Sequence, residues 1–175
     1  MRIPILLTLV IFFSVPALAQ QSTGVAAQNF IVSTIQDEAI ELEQLKGKVV
    51  VMTFWSTRCQ ICAEEIPEMN KLVDKYGENS VVFLGMAWQD KAKLDVFLKK
   101  KPFKFKIVAQ SFGVLLKYSA RDSKGRLAMG FPSHFVIDQN GTVVYKGEGF
   151  DKSKKISSTI DRLLANIPAD SSASL

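Results

Sequence analysis

Two uninterrupted apolar runs mark the chain, residues 49–55 and 81–88. Both are rich in β-branched and aromatic residues and show no alternation, the pattern of strands buried on both faces of a sheet. Between them Ile61, Ile66, Met69, Leu72, Val73 and Tyr76 recur at helical spacing, from Cys59 up to Gly77. Pro67 lies inside this helix and predicts a kink. Residues 91–101 predict an amphipathic helix with Leu94, Phe97 and Leu98 on its apolar stripe. Residues 105–109 read as a further strand, 114–119 as a short helix and 121–130 as a loop.

Toward both ends the elements shorten. Residues 30–35 and 39–42 predict two strands around the turn Gln36-Asp37-Glu38. Residues 135–138 and 142–146 flank Gln139-Asn140-Gly141, a hairpin signal. Ile156, Ile160, Leu163 and Leu164 predict a closing helix. The order strand, helix, strand, helix, hairpin, helix implies an α/β domain. Its parallel βαβ unit is extended by antiparallel strands in the same sheet.

The N-terminus departs from this pattern. Met1-Arg2 is a basic start, residues 3–15 are almost wholly apolar, and Ala17-Leu18-Ala19 follows Pro16. That is the layout of a secretory signal cut after Ala19. An uncleaved anchor is the alternative, but the run is shorter than the ~20 residues of a spanning helix and carries Pro4 and Pro16. The expected organisation is a signal peptide over 1–19, a small polar linker over 20–28, one domain over 29–167 and a frayed tail from Pro168 to 175. The mature protein is expected to be soluble in an oxidising compartment, such as a bacterial periplasm.

Composition then restricts the chemistry. The 175 residues hold two cysteines and one histidine. Two cysteines exclude a disulfide-framework fold, and the Cys/His inventory cannot complete a tetrahedral zinc site alone. The formal charge of +5, or +4 without Arg2, decides little about partners. Seven lysines fall between Lys91 and Lys106, and they read as a solvated face. No nucleic-acid motif is present, so no nucleic-acid partner is expected. No cofactor is implied.

What remains is Cys59-Gln60-Ile61-Cys62, just after a buried strand and at the start of a helix. Two intervening residues in a first helical turn bring the sulfurs within bonding reach. Unpaired N–H groups and the helix dipole favour a thiolate at the first cysteine. Cys59 is therefore the expected attacking sulfur, and Cys62, one turn inside, the resolving one. A four-residue loop removes little denatured-state entropy, so a purely stabilising bridge is a poor explanation.

The stretch from Lys46 through Trp55, Cys59, Cys62, Glu65 and Pro67 resembles the TlpA/ResA/CcmG group of exported thioredoxin-like proteins. Phe131-Pro132-Ser133-His134-Phe135-Val136-Ile137-Asp138 resembles that group's cis-proline segment, and Asn140-Gly141 its hairpin. The resemblance covers roughly residues 29–167. It implies a thioredoxin fold, with a central mixed β-sheet flanked by helices and an N-terminal β-hairpin extension. It also implies thiol–disulfide exchange, usually disulfide reduction outside the cytoplasm and often in cytochrome c maturation. The expected partners are a disulfide-bearing protein and an upstream membrane thiol reductase, with the protein itself a monomer.

By the same matching, Pro132 is the cis-proline facing the sulfurs, and it leaves the backbone of Phe131 open to an extended substrate. Glu65, one turn past Cys62, accepts or relays the resolving thiol's proton, with Glu64 as competitor and a plain surface glutamate as the bland alternative. Trp55, Arg58, Gln60, Ile61 and Phe131 are the candidate substrate contacts, although Trp55 serves equally well as packing beneath the turn.

Three departures from the family pattern stand out. Arg58 replaces an aromatic residue before the first cysteine and should push the potential in the oxidising direction, opposite to Glu65. Gln60-Ile61 replaces a pair that often contains proline. Thr53 stands where cytoplasmic thioredoxins carry a buried aspartate. Two further readings are weighed. His134 with Cys59 and Cys62 could form a soft Cu(I) site, as in a metallochaperone, but such proteins usually separate the cysteines by three residues. A peroxidase of the peroxiredoxin type wants a threonine three residues before its cysteine, whereas Thr57 lies two before Cys59.

Overall fold

The computed structural model describes residues 22–77 and 79–165. The proposed signal peptide and the tail from Pro168 lie outside the described residues. The two apolar runs are strands β3 (Val49–Trp55) and β4 (Val81–Ala87), every residue of both being buried. They pair in parallel, and helix α1 (Gln60–Tyr76) is the crossover between them. A hairpin β1 (Ile31–Ser33) and β2 (Ala39–Glu41) precedes them, as expected.

Helix α2 (Lys91–Lys100) leads into β5 (Lys106–Val108), which extends the sheet in parallel beyond β4. Helix α3 (Phe112–Tyr118) follows. On the other edge, β8 (Ser133–Ile137) runs antiparallel to β3, and β9 (Val143–Glu148) antiparallel to β8. The sheet order is β5-β4-β3-β8-β9, the mixed sheet that the pattern implied. Helix α4 (Ser153–Ala165) closes the chain against α1 and β8.

Three local differences have physical causes. Residues 121–130 are not an open loop. A short pair, β6 (Ala120–Arg121) with β7 (Leu127–Ala128), forms there. Its turn is held by Asp122, whose carboxylate accepts from the Lys124 and Arg126 N–H groups at 2.8 and 3.0 Å. Residues 22–28, expected as a linker, lie against the β8–β9 turn, with Gly24 N–H on Val143 O and Ala27 N–H on Gly141 O, both at 2.8 Å. The second long strand stops at Ala87, and Trp88 leaves the sheet for solvent. Helix α1 continues through Pro67 from Gln60 to Tyr76.

Two cores fill the faces of the sheet. One lies under α1, α2 and α4 and contains Trp55, Cys62, Ile66, Met69 and Ile156. The other lies against β1, β2 and α3 and contains Phe54, Phe135 and Tyr118. The central strands thus come from residues of β-branched or aromatic character whose two faces each meet a helical layer, which fixes the C-terminal end of β3 as a rigid platform. Among the described residues no helix is long and apolar enough to cross a membrane.

Candidate active site

The chain leaves β3 at Trp55, turns through residues 56–58 and enters α1 at Cys59, its N-cap. Ser56 builds this turn. Its buried hydroxyl accepts from the Arg58 N–H at 3.2 Å and from the Gln89 side-chain amide at 2.7 Å, linking the turn to the segment after β4. Cys59 and Cys62 are joined in a disulfide, with their Cα atoms 5.2 Å apart. The Cys59 sulfur also accepts from the Cys62 backbone N–H at 3.2 Å, one of the donors a helix start leaves unpaired. The same donor would face a Cys59 thiolate and favour it. Cys59 is partly exposed and Cys62 is buried.

Pro132 precedes β8, and the Phe131–Pro132 bond is cis, as the resemblance implied. The neighbouring backbone is held from below: Ser133 Oγ donates to Gly130 O at 2.7 Å, and the Gly149 N–H donates to Pro132 O at 2.8 Å.

Glu65 is not a surface glutamate. It is 2 % exposed, and its Oε1 accepts the Lys152 backbone N–H at 2.9 Å. Its Oε2 lies 3.0 Å from His134 Nε2, off the line of a well-aligned hydrogen bond. Burial alone pushes the Glu65 carboxyl up. The His134 contact and the Lys152 N–H and charge outweigh burial and hold it below the usual glutamate range. Glu64, its competitor, is exposed and accepts from the Gln60 side-chain amide at 2.9 Å.

His134 is wholly buried, and its other nitrogen, Nδ1, lies 3.0 Å from Thr53 Oγ1. Both ring nitrogens thus face protein groups rather than the two sulfurs, and the Cys59–Cys62–His134 copper set is not assembled. Among the described residues no group of three or more His, Cys, Asp or Glu is placed to hold a metal.

The candidate contact surface also changes. Trp55 is 1 % exposed and wedged against Phe97 and Phe103 with ring centroids at 5.3 and 5.5 Å, the packing place beneath the turn. Its indole fits because residue 85 is glycine: a Cβ there would stand 3.1 Å from Trp55 Nε1 and 2.7 Å from Ile107 Cδ1. Arg58, Gln60 and Ile61 are exposed, and Phe131 is partly so. The residue that pattern reading missed is Trp88. It is 49 % exposed and lines a cleft of about 310 Å³ with Arg58, Gln89, Asp90, Lys93 and Gln110. The sequence signal was the Asp90 N-cap of α2, which ends the strand before the tryptophan.

A CxxC pair at a helix N-terminus with one sulfur reachable, and a cis-proline just before the strand antiparallel to the one that leads into that helix, define within a thioredoxin-fold sheet a thiol–disulfide oxidoreductase. Comparison with known proteins agrees. The model of the AhpC/TSA family matches residues 23–146. Thiol-disulfide oxidoreductase ResA of Bacillus cereus is 30% identical over 142 residues, spanning 80% of this chain and 78% of its own. ResA of Bacillus thuringiensis is 28% identical over 144 residues, with the same coverage. The crystal structure of a thioredoxin-family thiol:disulfide interchange protein from Chlorobium tepidum superposes with a TM-score of 0.68 at 21% identity, covering 83% of this chain and 99% of its own. The chain belongs to the AhpC/TSA family, among its ResA-like thiol–disulfide oxidoreductases.

Proposed function

We propose that the protein is exported, with the N-terminal segment as its signal, and reduces disulfides in proteins of the periplasm. Cytochrome c maturation is one setting in which such a reductant works. The Cys59 thiolate attacks a substrate disulfide. A mixed disulfide forms, and the first substrate thiolate leaves. The Cys62 thiol loses its proton to Glu65 and attacks the Cys59 sulfur, expelling the second substrate thiolate. Two electrons pass from the dithiol to the substrate, whose thiolates take up protons from solvent. An upstream membrane thiol reductase restores the dithiol.

The observation that carries this reading is the asymmetry of the pair: Cys59 can be reached from solvent, and Cys62 cannot. Only one sulfur can meet a macromolecular disulfide, and the other can only resolve it. The backbone of Phe131 before Pro132 is the pairing edge for an extended substrate segment. A Cys62→Ser variant expressed in the native compartment should accumulate mixed disulfides with client proteins, identified by mass spectrometry, whereas Cys59→Ser should accumulate none. A Cys62→Ser protein that traps no client would refute the reading. The measured reduction potential sets the direction, and a value more oxidising than that of its clients would reverse it.

A further inference from the structure

We propose that His134 is the positioning residue that keeps Glu65 ionised beneath the cysteine pair, so that Glu65 can take the Cys62 proton. The inference rests on the exchange reading above and adds a group to it. Its basis is a buried chain of contacts, Thr53 Oγ1 to His134 Nδ1 at 3.0 Å, His134 Nε2 to Glu65 Oε2 at 3.0 Å, and Glu65 Oε1 to the Lys152 N–H at 2.9 Å. The four residues come from β3, β8, α1 and the segment before α4.

The chemistry orders the protons along this chain. A carboxylate only accepts, so the nitrogen facing Glu65 is the protonated one. In the neutral ring that leaves Nδ1 as an acceptor, and the Thr53 hydroxyl donates to it. Thr53 therefore selects the tautomer that serves Glu65. A carboxylate this deeply buried would otherwise be driven toward its neutral form. A neutral Glu65 has no room for the proton that Cys62 must lose.

The other groups facing this pair are few. Tyr145 on β9 feels the Glu65 charge, which, after burial, helps raise its phenol. Lys152 adds its positive charge to its N–H. On its own helix Glu65 has Cys62 three residues earlier, on the same face. The buried residues of helix α4, which packs on α1 and β8, are Ser153, Ile156, Thr159 and Ile160, none of which titrates near neutrality.

The test separates the two thiol steps. Reaction of the reduced protein with the aromatic disulfide dithionitrobenzoate releases one thiolate when Cys59 attacks and a second when Cys62 resolves. His134→Leu should slow the second phase about tenfold, at the low end of general acid–base effects, and move its pH midpoint upward. The first phase should change far less. His134→Gln, which keeps an N–H donor, should recover most of the second phase. Infrared spectroscopy supplies a readout independent of exchange: a protonated-carboxyl band should appear at neutral pH in His134→Leu and vanish in His134→Leu/Glu65→Gln.

Should His134→Leu fold poorly, Thr53→Val removes the partner of Nδ1 and should shift the same band and phase in the same direction. The inference is overturned if the band is absent in both variants, or if the second phase is unchanged. It is also overturned if Glu65→Gln resolves as fast as the parent, whereas the exchange reading fails separately, if Cys62→Ser traps nothing.

Discussion

Trp88 stands edge-on to Phe131, with ring centroids 6.0 Å apart and planes at 88°. Trp88 is the first residue after β4 and Phe131 precedes the cis-proline, so the contact joins the two loops that follow β4 and lead into β8. Edge-to-face aromatic pairs contribute about 0.5–1.5 kcal/mol beyond burial. Here much of the indole remains in solvent. Trp88 shares a cleft with Arg58, the residue before Cys59, and exposed tryptophans are frequent anchors in protein recognition. Trp88→Ala should raise KM for a protein disulfide severalfold while leaving the melting temperature and the reaction with dithionitrobenzoate near those of the parent. A KM unchanged for every protein client would remove Trp88 from the contact surface.

Arg58 is exposed directly before the reactive cysteine. Its positive charge stabilises a thiolate on Cys59, and stabilising the reduced form makes the pair more oxidising. Arg58→Trp should therefore raise the Cys59 pKa and lower the reduction potential. The pH profile of iodoacetamide alkylation and equilibration with glutathione measure the two effects. Both should shrink at high salt, because the guanidinium is solvated. An alkylation profile that does not move would sink the idea.

Gly85 leaves room for Trp55 under the active-site turn. Any side chain at this position meets Ile107 Cδ1 at 2.7 Å and the indole at 3.1 Å. Overpacking of a filled core costs about 1–3 kcal/mol. Gly85→Val should lower stability in urea by that amount, and because Trp55 adjoins the turn it should also slow exchange. Gly113→Val, where a Cβ would meet nothing within 4 Å, is the control. Equal losses at both positions would refute a packing cause.

The depressed carboxyl of Glu65 ties stability to acid pH. Its folded-state value lies below the ordinary 4.5. The stabilisation is thus fully present above the unfolded value and is lost as pH falls through the folded one. Urea unfolding of the oxidised protein should weaken as pH drops below about 4.5, and Glu65→Gln should flatten that part of the curve. If Glu65→Gln and the parent lose stability in parallel through this range, Glu65 is not the linked group.

Much of the fold was legible because its central strands are read locally. The runs that became β3 and β4 need burial on both faces, and only an interior parallel pair provides it. The cysteine motif was legible for a similar reason: its spacing and its place at a helix start are properties of consecutive residues. The cis Phe131–Pro132 bond was expected from the family resemblance of the segment that starts there.

Trp55 and Trp88 show where local reading ended. Each closes an apolar run, and the pattern treats them alike, yet one sits against Phe97 and Phe103 and the other faces solvent. The difference lies in which loop follows each strand and what packs over it. Glu65 and His134 are 69 positions apart in the chain and meet only because α1 crosses over β8. Sequence alone determined the cysteine pair and the strand that presents it, since both are encoded in neighbouring residues. Tertiary structure decided that Glu65 is buried, that the single histidine lies against it, and that Trp88 rather than Trp55 reaches solvent. Those outcomes depend on contacts between distant segments, and no periodicity within a segment records them.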